Sequence, residues 1–241
     1  MIVYSAIFGG FDSPKPPRPH PAVAEWVLFT DDPNVYAPGW RVVVSDPPGA
    51  TARMRAKWYK CHPPRHALSL YLDGSIRLRD PGLLDAAIGA LTKADWAMFR
   101  HPERSDITAE ALASAPMPKY AGAPLREQVR AYEALYTAEA LRKLSLWAAG
   151  ILARRGTPDV VAASHAWWQE CVRWTEQDQI SLPVVLDRFD IVPAAIEAGG
   201  GLWNNAHFRV EVHHAEPSSQ EVDARLHPRR ADRQEESQES A

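Results

Sequence analysis

The sequence predicts an α/β fold, and three observations carry that reading. Short runs of β-branched, aromatic and apolar residues recur along the chain and suit buried strands. Segments of helical period separate them. Several of the runs end at once in Asp or Gly, which places polar groups at the carboxyl ends of strands, where ligands of such sheets bind.

Met1 to Phe8 (MIVYSAIF) is the first strand, stopped by Gly9-Gly10 and followed by a loop through Pro14 to Pro21, whose prolines cannot donate to a ladder. Glu25 to Thr30 is the second, ended by Asp31-Asp32-Pro33, and Trp40 to Ser45 the third, ended by Asp46-Pro47-Pro48. From Ala50 to about Cys61 the pattern turns helical, with Arg53, Lys57 and Lys60 on one face. Leu68 to Leu72 is the fourth strand and runs straight into Asp73-Gly74-Ser75. A helix over Pro81 to Leu91, a strand over Trp96 to Phe99 and helical segments at Ser105 to Ala113 and Pro124 to Glu139 come next. Ser145 to Ala153 reads as a strand. Thr157 and Pro158 open a helix that continues to about Trp174. Val160, Ser164, Trp167, Cys171 and Trp174 trace its core stripe. A short helix after Asp178, a strand near Ile191 and a strand over Phe208 to Val212 complete the body. The rim of the sheet should therefore gather Gly9-Gly10, Asp31-Asp32 and Asp73-Gly74-Ser75.

Composition narrows the function. The 241 residues are 46% hydrophobic and 24% charged, which is enough apolar material for one sizeable core. Two cysteines make no disulfide framework, and Cys61 and Cys171 read as thiols of a reducing, cytoplasmic compartment. No apolar run is long enough to span a bilayer, and Met1 to Phe8 has no basic leader region, so neither a transmembrane segment nor a signal peptide is expected. Seven acids against four arginines after Ala215 account for the whole net charge of −3. The body is formally neutral and lacks the cationic field of a nucleic-acid binder. The stretch 215–241, without aromatics and rich in Glu, Gln, Ser and Arg, is expected to be a disordered polar tail on a domain spanning 1–214.

Familiar cofactor loops are missing. Gly9-Gly10 is no dinucleotide fingerprint, and Gly199-Gly200-Gly201 lacks the Lys-Ser/Thr of a phosphate loop. His62 and His66 are separated by Pro63-Pro64, which excludes a zinc-protease helix. Asp73-Gly74-Ser75 reads either as a plain turn or as a strand-end carboxylate able to hold a divalent cation. The cationic face of Arg53, Lys57 and Lys60 is either solvated or clasps a diphosphate. Asp178 reads first as a helix cap; beside Gln179 it could also face a sugar. Of the tandem Trp167-Trp168, at least one belongs to the core, and either ring could stack on a sugar. His101 with Arg104, and the pair His213-His214, carry weaker signals; the latter could complete a metal site.

In their shared order these pieces resemble the glycosyltransferase-like domain family of plant mucilage-related and bacterial proteins, long described as a domain of unknown function. The resemblance runs through Tyr4 to Asp12, Phe29 to Asp32, Gly39-Trp40, Arg53 to His62 and Tyr71 to Ile76. It continues through Phe99 to Arg104, the Gln128 segment, Trp167-Trp168 and Asp178 to Pro183, and excludes the tail. It implies a single-domain A-type glycosyltransferase fold, a Rossmann-like mixed sheet flanked by helices, with a DxD-like metal motif. The implied activity is transfer from a nucleotide-sugar donor to a glycan or small-molecule acceptor, assisted by Mn2+ or Mg2+. Asp73 would ligate the metal with Ser75 and His213 or His214. Ser75 departs from the Asn or Asp usual there, which weakens that site. Ala6, Phe8, Asp31, Arg53, Lys57 and Lys60 would bind the donor. His101, Arg104 and Trp168 would meet acceptor or sugar, and Asp178 and Gln179 would be catalytic. A metal-dependent hydrolase and a non-catalytic nucleotide- or sugar-binding protein are the rival readings.

Overall fold

The computed structural model describes residues 1–197 and 199–211. The expected tail, together with His213 and His214, lies outside the described residues. Among them a mixed sheet of seven strands runs in the order β3-β2-β1-β4-β7-β6-β8. The strands are β1 (Ile2–Ile7), β2 (Glu25–Thr30), β3 (Arg41–Val44), β4 (Leu68–Leu72), β6 (Trp96–Arg100), β7 (Trp147–Arg155) and β8 (Ala194–Ala195). Two further strands, β5 (Ile76–Leu78) and β9 (Phe208–Val210), pair with each other. β1 to β4 are parallel neighbours, β7 is antiparallel to both β4 and β6, and β8 is parallel to β6. All of the sheet but β7 therefore ends on one rim, and β7 begins there.

Successive side chains of a strand point to opposite faces, and each face has its own helices. Val3 and Leu70 face α2 (Gly82–Ala90) through Leu83, Leu84 and Ala87. Tyr4 and Tyr71 face the other way, toward α1 (Ala52–Cys61), α6 (Pro158–Arg173) and α7 (Asp178–Arg188). A smaller apolar cluster joins α3 (Ile107–Ser114), α4 (Leu125–Glu133) and α5 (Ala138–Lys143) to α7. Among the described residues no helix is long and apolar enough to cross a membrane.

Several expected boundaries move. The helical run expected over Pro124 to Glu139 is two helices, because Thr137 takes extended backbone and caps α5 by accepting from the Ala140 N–H. The short helix expected after Asp178 has eleven residues and begins at Asp178 itself, which stands in its first turn while Gln177 holds the cap position. Thr157 holds the cap position of α6, but its hydroxyl makes no capping bond. The strand expected near Ile191 forms at Ala194–Ala195, where Ala97 and Met98 of β6 provide the partner. β5 was not expected; its three residues are stabilised by β9 and have too little period of their own to read.

Candidate active site

A cleft of about 610 Å³ opens on the rim, lined by residues following β1, β4 and β6, by the start of β7, and by one face of α1. α1 reaches it because its cap is well made: the Thr51 side chain accepts from the Met54 N–H. Gly9 lets the helix approach, since a Cβ there would lie 2.8 Å from that of Ala52 and its φ is +63°.

The floor is an ion cluster. Asp178 Oδ2 lies 2.8 Å from Lys57 Nζ and 2.8 Å from Lys60 Nζ. The Lys60 and Asp178 side chains are only 5% and 4% exposed, so the charges must satisfy one another. Burial opposes the Asp178 charge, but Lys57 and then Lys60 outweigh it and hold the carboxyl at about 2. Burial likewise lowers the Lys57 ammonium, yet Asp178 overcomes it and raises the group overall. Asp178 is fixed from behind by the Trp167 Nε1–H, which donates to its carbonyl at 2.9 Å.

Asp73 follows directly. Its N–H donates to Gly150 O at 2.8 Å, continuing the β4–β7 ladder by one residue. Its Oδ1 accepts from the Tyr71 hydroxyl at 2.8 Å and lies 3.7 Å from Lys60 Nζ. Burial, and then the Asp73 charge, push the Tyr71 phenol well up, so it stays a donor. A Cβ on Gly150 would sit 3.1 Å from Asp73 Oδ2, so the glycine keeps that oxygen clear.

Of the residues singled out from sequence, the cleft brings together Ala6, Phe8, Arg53, Lys57, Lys60, Asp73, Ser75, His101, Arg104, Asp178 and Gln179. Arg53 pairs with Glu176 at 2.8 Å and donates to Lys119 O at 2.9 Å, tying α1 to the segment before Tyr120. Gln179 Nε2 donates to Trp147 O at 3.1 Å. Ser75 is buried, and its carbonyl accepts from the Glu211 N–H at 2.8 Å.

Two of the expected residues lie away from the cleft lining. Asp31 does not line the cleft: both its oxygens accept the Gly9 N–H, at 2.9 and 3.1 Å, and Arg55 lies 3.6 Å away. Through those bonds it shapes the turn after β1. Trp168 is buried in the core, its ring edge-on to Trp58 with centroids 5.2 Å apart, and cannot stack on a sugar. His213 and His214 lie outside the described residues.

Other participants were not singled out. Glu110 of α3 is buried against Arg104 Nε, with Gln177 Nε2 donating to it at 2.6 Å and Ser114 Oγ at 3.2 Å. Its signal was a carboxylate on an otherwise small and apolar stripe, Ile107, Ala111 and Ser114. Burial lowers the His101 imidazole below its usual range, and its Nδ1 accepts the Arg104 N–H at 3.0 Å. Arg154, a fully buried cation within β7, donates to the Tyr4 hydroxyl, to Lys60 O at 2.7 Å and to Ser164 Oγ at 3.2 Å. It thereby anchors the carboxyl end of α1, and with it Lys60.

For a divalent cation the cleft offers oxygen donors. Asp73 and Asp12 both line the cleft, and Asp12 packs against Gly74, where an added Cβ would lie 2.8 Å from its Oδ2. Among the described residues no group of three or more His, Cys, Asp or Glu forms around them. One or two carboxylates suit a hard cation whose remaining positions are filled by substrate phosphates and water. The donor set therefore fits such an ion.

Residues 24–198 match the family described as TOD1/MUCI70, glycosyltransferase-like domain. The chain is similar to a protein of Arabidopsis thaliana described as "Probable hexosyltransferase MUCI70", at 30% identity over 217 residues. That match covers 78% of this chain and 37% of the relative, so the chain spans well under half of the relative's length.

Proposed function

This chain belongs to the TOD1/MUCI70 glycosyltransferase-like family, and from that premise we propose that it transfers a hexosyl or related sugar from a nucleoside-diphosphate donor to a glycan or small-molecule acceptor. The mixed sheet with helices on both faces agrees with a glycosyltransferase-like fold. One observation carries the proposal: Lys57, Lys60 and Arg53 of a single helix meet Asp73, at the end of β4, in one cleft.

In this reading Arg53, Lys57 and Lys60 hold the donor diphosphate through charge-assisted bonds. The backbone from Ala6 to Phe8 lies beside the base. Asp73, with His213 or His214, would hold Mn2+ or Mg2+, which when bound offsets charge growing on the nucleotide leaving group. Asp178, ionised at any physiological pH, has no proton to give and so is no general acid. It can stabilise positive charge at the anomeric carbon, with Gln179 beside it hydrogen-bonding the sugar. Its engagement with Lys57 and Lys60 also keeps both ammonium groups aimed at the cleft.

The test is a thermal-shift and calorimetric screen of the full chain with UDP, GDP and ADP, with and without Mn2+. At least one nucleoside diphosphate should stabilise the protein, more strongly with Mn2+. Lys57→Ala should weaken that ligand about tenfold or more, since a charge-assisted contact contributes about 1.5–3 kcal/mol. Indifference to every nucleoside diphosphate and sugar nucleotide tried would sink the reading.

A further inference from the structure

The glycine-rich segment after β8 is no phosphate loop, and it does something else. Gly200 bridges to Asn205, and an added Cβ at Gly200, whose φ is +115°, would lie 2.3 Å from Asn204 O. The buried Asn205 amide donates to Gly200 O at 3.1 Å, while its Oδ1 accepts from the His207 N–H at 2.9 Å. Leu202 is buried in the main core and anchors the loop. Between these fixed points Trp203 is left 57% exposed, on the wall of the cleft. A large aromatic held in water by a closed hairpin differs from a loose surface side chain, because the loop has already been ordered for it.

Its position is informative. β8 is the edge strand at the end of the sheet away from β1 and β2, and its carboxyl end lies on the same rim. Phe8 and the cationic face of α1 line the cleft with Asp73, and Trp203, carried by the loop after β8, lines the wall of the same cleft. The charged floor suits a diphosphate; Trp203 offers an apolar plane of the kind that packs against the C–H face of a pyranose ring.

We infer that Trp203 is the stacking platform for the sugar acceptor, and hence that the acceptor is a glycan presenting a pyranose face rather than a small polar molecule. This rests on the transferase reading above.

The experiment probes the labelled full chain on an immobilised oligosaccharide array, in the presence of whichever nucleoside diphosphate stabilises it. The unaltered chain should bind a defined subset of glycans. Trp203→Ala should weaken those signals about tenfold, in line with loss of a central tryptophan contact, while Trp203→Phe keeps most of them. Nucleoside-diphosphate binding and melting temperature should be the same in all three proteins, which separates this inference from the transferase reading. Array signals unchanged in Trp203→Ala, or an unaltered chain that binds nucleotide and no glycan, would overturn it.

Discussion

Two ion clusters on this molecule hold a carboxyl at the same value by different means. In the cleft floor Asp178 sits between Lys57 and Lys60, and its carboxyl is held at about 2 against the opposition of burial. Beside the β5–β9 pair Glu211 meets Arg77, Lys15 and Arg209, and is also held at about 2, chiefly by the Arg77 hydrogen bond, which outweighs its burial. Equal titration does not mean equal dependence. Lys60 and Asp178 in the floor have given up nearly all of their water and depend on their partners, whereas Arg209 is 55% exposed and keeps its hydration.

The sharpest way to break the contrast is Asp178→Asn. It keeps the shape and leaves the buried Lys60 ammonium and the partly buried Lys57 ammonium without the carboxylate they share. A loss of about 3 kcal/mol, or a fall in melting temperature of roughly 6–12 °C, is expected by calorimetry. The stabilising nucleoside diphosphate should restore part of it, because the ligand supplies the missing negative charge. A fall that no diphosphate relieves would separate the floor from anion binding.

A second test uses pH. A depressed carboxyl contributes stability that is present above its unfolded value, near 4, and is lost as pH falls toward its folded value of about 2. The unaltered chain should therefore lose stability between about pH 4 and pH 2, and Asp178→Asn should lose distinctly less over that window. Equal acid profiles for the two proteins would mean that the floor carboxylate is not coupled to folding as its contacts imply.

The smallest effect is expected at the outer cluster. Arg209→Ala should cost under about 1 kcal/mol, and the cost should shrink further in high salt. Chemical denaturation at two salt concentrations measures it directly. A salt-independent loss as large as that of Asp178→Asn would erase the distinction between the two clusters.

Much of the cleft was legible beforehand because its residues are local in sequence. Arg53, Lys57 and Lys60 share a helix face by spacing alone, and Asp73 is fixed by the apolar run that precedes it. Asp178 and Gln179 were recognisable as a polar pair, but the closeness of Asp178 to α1 was not, because 121 residues separate it from Lys57. Trp168 was misplaced for a related reason. A tryptophan pair on a helix does not say which ring the neighbouring elements will cover, and here α1 covers Trp168 through Trp58. Glu110 and Arg154 each broke an apolar pattern, which marks a buried polar partner without saying what it binds.

What the sequence by itself determined is the order of strands and helices and the set of groups at the strand ends, since period, glycine and proline act within a few residues. The tertiary structure decided which charges neutralise which. It set two lysines against one carboxylate, turned Asp31 to the Gly9 amide, and left Trp203 in the open cleft. Such pairings depend on which groups lose their water together, and that is fixed only when distant segments pack.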